Sequence, residues 1–125
     1  MTGDQSSSEP RFADIKAILD SLVEGRDPET LKQVHHCEDF GWETCEQLAG
    51  IVVSPLGEFG PSYRLIEPDL VKARRGADTN LVKALRDPSG VDANGQMPWN
   101  PPPGRHATAE EIELIVTWIN AGMPT

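Results

Sequence analysis

Two histidines and a cysteine stand side by side as His35-His36-Cys37, and the chain's other cysteine follows at Cys45. Imidazoles and thiolates are the donors that hold zinc tetrahedrally, so His35, His36, Cys37 and Cys45 are candidate metal ligands. Their spacing works against the assignment. Neighbouring side chains on a helix diverge by about 100°, and the paired two-residue spacing of zinc sites is absent. Convergence requires the helix to end at once, which Asp39 and Gly41 would allow. The two thiols have a second use, as a redox pair or as a disulfide closing Cys37 to Cys45 across the Phe40-Gly41-Trp42 turn. Such a short closed loop would contribute about 2–3 kcal/mol on the chain-entropy estimate. Met97, inside Met97-Pro98, offers a thioether, and His106 a further imidazole.

Other chemistries find no sequence support. No Gly-x-Ser-x-Gly is present, neither cysteine sits in a context that announces a catalytic base, and Gly57-Glu58-Phe59-Gly60 lacks the Lys-Ser/Thr partner of a phosphate loop. The expectation is a protein that is not an enzyme. Lys72, Arg74 and Arg75 form a short basic run that reads as a solvated helix face.

The elements that must position these residues are mostly helical. From Arg11 to Glu24 the apolar residues Phe12, Ile15, Ile18, Leu19, Leu22 and Val23 recur at spacings of three and four, predicting an amphipathic helix stopped by Gly25. Asp27-Pro28 supplies an N-cap and a proline at the first position of a second helix, with Leu31 and Val34 on its buried side and His35 to Cys37 at its end. Thr44 to Ala49 predicts a further helical turn or two, followed by the β-branched run Ile51-Val52-Val53. Residues 54–61 are a Pro- and Gly-rich loop. Short helices are expected after Pro68, ending by Gly76, and after Asp78 or Thr79, ending at Asp87-Pro88. Residues 89–105 read as a long ordered loop. Thr108-Ala109-Glu110-Glu111 matches a capping box opening a last helix, with Ile112, Ile115, Val116, Trp118 and Ile119 as its apolar stripe and Gly122 as its end. Trp99 and Trp118 are expected in the core.

At 125 residues the chain suits one domain with one core, here residues 11–125, behind a polar tail, residues 1–10, expected to be disordered. No apolar run reaches the roughly 20 residues of a membrane-spanning helix. The net charge of -9 is concentrated in residues 1–58, which hold 12 acids against 4 bases. That argues against a phosphate-neutralising, nucleic-acid-binding surface and leaves a basic protein as the electrostatically matched partner, with solubility as the plainer reading of the charge. The N-terminus has neither a basic nor an apolar signal region, so a cytoplasmic location is expected as written, or a periplasmic one if a signal peptide has been removed.

Three segments then align in order: Phe12 to Leu19, Asn80-Leu81-Val82-Lys83-Ala84-Leu85-Arg86, and Met97-Pro98 through the final helix to Gly122-Met123-Pro124. Together they resemble the small bacterial class I cytochrome c domains over about half the chain. The resemblance implies an all-α cytochrome c-like fold with crossed first and last helices, short helices and a long Pro-rich loop between, and it places Met97 at the distal iron-ligand position. The chain departs from the family at haem attachment, which needs Cys-x-x-Cys-His; Cys37 and Cys45 are neither so spaced nor followed by His. The leading expectation is therefore a degenerate cytochrome c-like domain with no cofactor, serving as an interaction or structural module, in which Phe40, Trp42 and Leu48 fill the volume of the missing macrocycle. The alternatives are an electron-transfer protein holding haem non-covalently, by His35 or His36 with Met97, and a Cys/His metal or thiol redox site.

Overall fold

The apolar stripe of the first predicted helix folds as α1 (Phe12–Leu22), which buries Ile15, Ile18, Leu19 and Leu22. It packs against the last helix, α6 (Ala109–Asn120), whose Ile115, Trp118 and Ile119 are buried in the same cluster. Where the two meet, the rings of Phe12 and Trp118 lie 6.2 Å apart, and the Pro124 carbonyl accepts both the Phe12 amide and the Trp118 indole N–H at 2.9 Å. Pro124 is thereby tied to the start of α1. The computed structural model describes residues 10–54, 60–91, 96–98, 101 and 103–125. The expectations for the tail up to Glu9, for Trp99, for the Gly57-Glu58-Phe59 segment and for the side chain of Val34 fall outside the described residues; Pro10 is buried.

Both ends of α6 close as the sequence predicts. Thr108 Oγ1 accepts the Glu111 amide and the Glu111 carboxylate accepts the Thr108 amide, completing the capping box. At the other end Gly122, at φ 91, lets Met123 N–H reach the Trp118 carbonyl, a Schellman closure.

Between these helices lie α2 (Pro28–His35), α3 (Cys45–Ala49), α4 (Pro68–Lys72), a 3₁₀ turn at Gly76–Asp78, and α5 (Asn80–Arg86). Thr44 and Thr79 cap α3 and α5 through their hydroxyls. Asp27 does not cap α2 through its side chain; its carboxylate accepts the Thr30 hydroxyl instead. Gly76 sits against Ile119 and the Val116 carbonyl with no room for a β-carbon, and its amide donates to Asn120 Oδ1, which docks the 3₁₀ turn on α6.

The expectation of an all-α, cytochrome c-like fold is corrected by a two-stranded antiparallel sheet, β1 (Val52–Val53) with β2 (Tyr63–Arg64), in which Val52 faces Arg64 and Val53 faces Tyr63. The β-branched run favours extended backbone. Its partner is a two-residue segment too short to carry any alternation. The sheet joins distant parts of the molecule: Ser54 N–H donates to the carbonyl of His35, Leu65 N–H to Ile51, and Leu81 N–H to Leu65 at 2.7 Å. The helix bearing His35 and the helix beneath Met97 are thus fastened to the same ribbon.

Candidate functional site

Residues from α1, α2, α3, α5 and both strands surround one apolar cavity of about 500 Å³, a size typical of small-molecule sites. Leu19, Leu22 and Val23 contribute from α1, Leu31 and His35 from α2, and Leu81, Ala84 and Leu85 from α5. Phe40, Trp42 and Leu48 form a further wall, and Val53, Tyr63 and Leu65 another. Val91, Met97 and Pro98 complete the lining, while Gly25, Arg26, Asp27, Thr30 and Pro103 stand where it meets solvent. Phe40, Trp42 and Leu48 therefore bound a space; the expectation that they fill it is corrected.

His35 reaches this cavity by a precise local arrangement. Its Nδ1 lies 2.6 Å from the Leu31 carbonyl one turn earlier. A carbonyl only accepts, so Nδ1 carries the hydrogen and Nε2 is left as the basic nitrogen of the neutral ring. Phe40 stacks on the imidazole at 4.0 Å with the planes 7° apart, and Trp42 meets Phe40 edge-on at 5.7 Å. The Trp42 indole N–H donates to Asp20 Oδ1 at 2.8 Å. Burial pushes the His35 pKa down, with the neighbouring His36 acting the same way and the Leu31 hydrogen bond opposing. The ring is accordingly neutral at neutral pH, the form that ligates metal.

Met97 enters from the opposite side of the sequence. Its amide donates to the Ala84 carbonyl at 2.7 Å, and the Gln96 side-chain amide donates to the Leu85 carbonyl at 3.0 Å. The exposed C-terminal carbonyls of α5 thus anchor the loop. The Met97–Pro98 peptide bond is cis, and the Pro98 carbonyl accepts His106 Nε2 at 3.0 Å. His106 therefore supports the loop from outside the cavity.

Gly104 and Arg105 lie against the end of α1. Gly104, at φ 83, passes so close to the Leu22 carbonyl that a β-carbon has no space, and Arg105 N–H donates to that same carbonyl. The Arg105 guanidinium grips both carboxylate oxygens of Glu111 at 2.8 and 2.7 Å and also donates to Ser21 Oγ. Glu111 is held at a pKa of about 2, chiefly by Arg105 and secondarily by the Thr108 amide.

The structure thus brings His35 and Met97 together and separates the remaining candidates. His36 ends α2 in the left-handed region at φ 50 and is exposed. It shares a shallow surface depression with Cys37. Cys45 directs its thiol at the Met123 carbonyl, 3.8 Å away. Both cysteines are free, so the Cys37 to Cys45 disulfide is not formed, and neither lines the cavity. Burial and the adjacent Glu46 raise the Cys45 pKa, which disfavours the reactive thiolate. Among the described residues no three His, Cys, Asp or Glu side chains converge as a metal-binding group.

Arg26, Tyr63 and the stacking role of Phe40 had no sequence signal, because a cavity wall drawn from many segments leaves no periodicity. No helix among the described residues is long and apolar enough to cross a membrane. Comparison with known proteins returns no match to a protein family, a curated protein or a solved structure.

Proposed function

We propose that the cavity binds a flat, largely apolar cofactor and that haem, held without a covalent bond, is the cofactor its chemistry suits best. The observation that carries this reading is that one imidazole and one thioether, His35 and Met97, line the same apolar space. A His/Met pair is a known axial set for haem iron and sets its potential for electron transfer. Haem would supply one-electron chemistry; the chain's own part is to present a neutral imidazole oriented by the Leu31 carbonyl, hold the thioether on an anchored loop, and keep water away with the aliphatic walls of α1 and α5.

Attachment through thioether bonds has no support from the site, since Cys37 and Cys45 lie elsewhere. The Met97-Pro98 likeness to class I cytochromes c agrees with the proposal. Titrating the purified chain with ferric haem tests it: a saturable Soret band at one equivalent is expected. A chain that stays colourless and folded would return the reading to a haem-less interaction module with an acidic front half, suited to a basic protein partner.

A further inference from the structure

We infer that Asp20, an exposed residue of α1, is a positioning residue for His35: through two aromatic rings it sets the plane in which the imidazole meets the ligand's iron. This rests on the cofactor reading above. The hydrogen bond between His35 Nδ1 and the Leu31 carbonyl fixes one atom of the ring, about which the ring can still turn. Its plane is set by Phe40, stacked on it at 4.0 Å with the planes 7° apart. Phe40 lies in the loop between α2 and α3, so its own ring needs a support.

Trp42 supplies that support. It meets Phe40 at 5.7 Å and 77°, the edge-to-face arrangement that ring quadrupoles favour. Trp42 is in turn held by Asp20, whose Oδ1 accepts the indole N–H at 2.8 Å. The other carboxylate oxygen, Oδ2, accepts Lys16 Nζ at 3.2 Å, one turn earlier on α1, and Lys16 also stands 3.7 Å from the Glu43 carboxylate. The two oxygens are thus divided between two partners, and a charged acceptor makes the indole hydrogen bond a strong one. The loop's backbone has a separate anchor in Gln47 of α3, which accepts the Glu43 amide at 2.8 Å and donates to the Asp39 carbonyl at 2.9 Å. Removing the Asp20 carboxylate therefore loosens the two rings without releasing the loop.

Outer groups that orient a ligating histidine change metal affinity about 10–100-fold, whereas a wall that only buries surface acts alike on any flat apolar ligand. Asp20 stands outside the cavity lining, so its effect on a ligand passes through the rings to the imidazole. Iron should feel that effect and the bare macrocycle should not.

Haem and metal-free protoporphyrin, which share the macrocycle and its carboxylates and differ in the iron, make the test. Each is titrated by absorbance into the wild-type chain and into Asp20→Ala, Asp20→Asn, Trp42→Phe and the Asp20→Ala/Trp42→Phe double variant, with circular dichroism confirming that each is folded. The wild type is expected to bind haem more tightly than protoporphyrin. Asp20→Ala should lose about tenfold in haem affinity and none in protoporphyrin affinity, while Asp20→Asn, which keeps a carbonyl oxygen for the indole, should retain the wild-type value. Adding Asp20→Ala to Trp42→Phe should cost nothing further on haem, because both cut one link. A folded Asp20→Ala that keeps wild-type haem affinity, or that loses haem and protoporphyrin alike, overturns the inference and leaves the cofactor reading standing. Should Asp20→Ala not fold, the excess loss on haem over protoporphyrin is read from Trp42→Phe, and its absence there overturns the inference equally. A wild type that binds neither porphyrin, or gains nothing from the iron, overturns both.

Discussion

His35 differs from His36 in one respect that decides its chemistry, namely the neighbour each meets. His35 is half-buried, hydrogen-bonded to Leu31 and stacked on Phe40, while His36 turns outward in a left-handed cap. The sequence presents them as equals, since adjacent identical residues carry no mark of which faces inward until the helix end is known. Because the folded pKa of His35 is lowered from 6.5, the unfolded chain takes up a proton that the folded chain refuses. The contribution is pH-independent above about 6.5, and stability falls as the pH drops below it towards the folded pKa. Urea melts between pH 8 and 5 should show that decline, and it should flatten in His35→Gln. Gly104 makes a second point at this scale. A methyl group would meet the Leu22 carbonyl, and φ is positive, so Gly104→Ala should cost about 2 kcal/mol or more by overpacking and backbone strain. An unchanged denaturation midpoint would contradict that close approach.

Elements with strong local chemistry were legible beforehand. The stripe of α1, the Thr108 capping box, the Gly122 closure and the Thr79 cap all appear where periodicity and capping rules put them. The β1–β2 ribbon was not, because two-residue strands offer no alternation and the pairing joins residues on either side of an intervening loop. Thr108→Ala should remove one cap, at a cost of about 1 kcal/mol, read as a lowered melting temperature. The Arg105 to Glu111 pair ties the loop to α6, and the Glu111 pKa is lowered from 4.5 to about 2. Its contribution is complete above about pH 4.5 and is lost as the pH falls through about 2. Acid titration should find that this part of the low-pH destabilisation is absent in Glu111→Gln.

At the scale of the molecule, the architecture brings residues distant in sequence around one space. The terminal helices pack together, the ribbon fastens α2 to α5, Gln96 and Met97 bond to the end of α5, and Arg105 bonds to the end of α1. Sequence reasoning found Met97 and named His35 among four candidates, but it could not bring them together, since a common cavity is a property of tertiary packing. It also expected bulky side chains to fill the space that they enclose. A ligand that binds only the folded state should stabilise it by about 2.7 kcal/mol at a hundredfold excess over its dissociation constant, so haem should raise the melting temperature of the chain. The most direct test is the Soret titration carried out side by side on the wild type, His35→Ala and Met97→Ala. The account predicts stoichiometric binding by the wild type, loss of the band in His35→Ala, and at least a tenfold weakening with an altered band position in Met97→Ala. A band that is indifferent to both substitutions, or a wild-type chain that never acquires one, would contradict it.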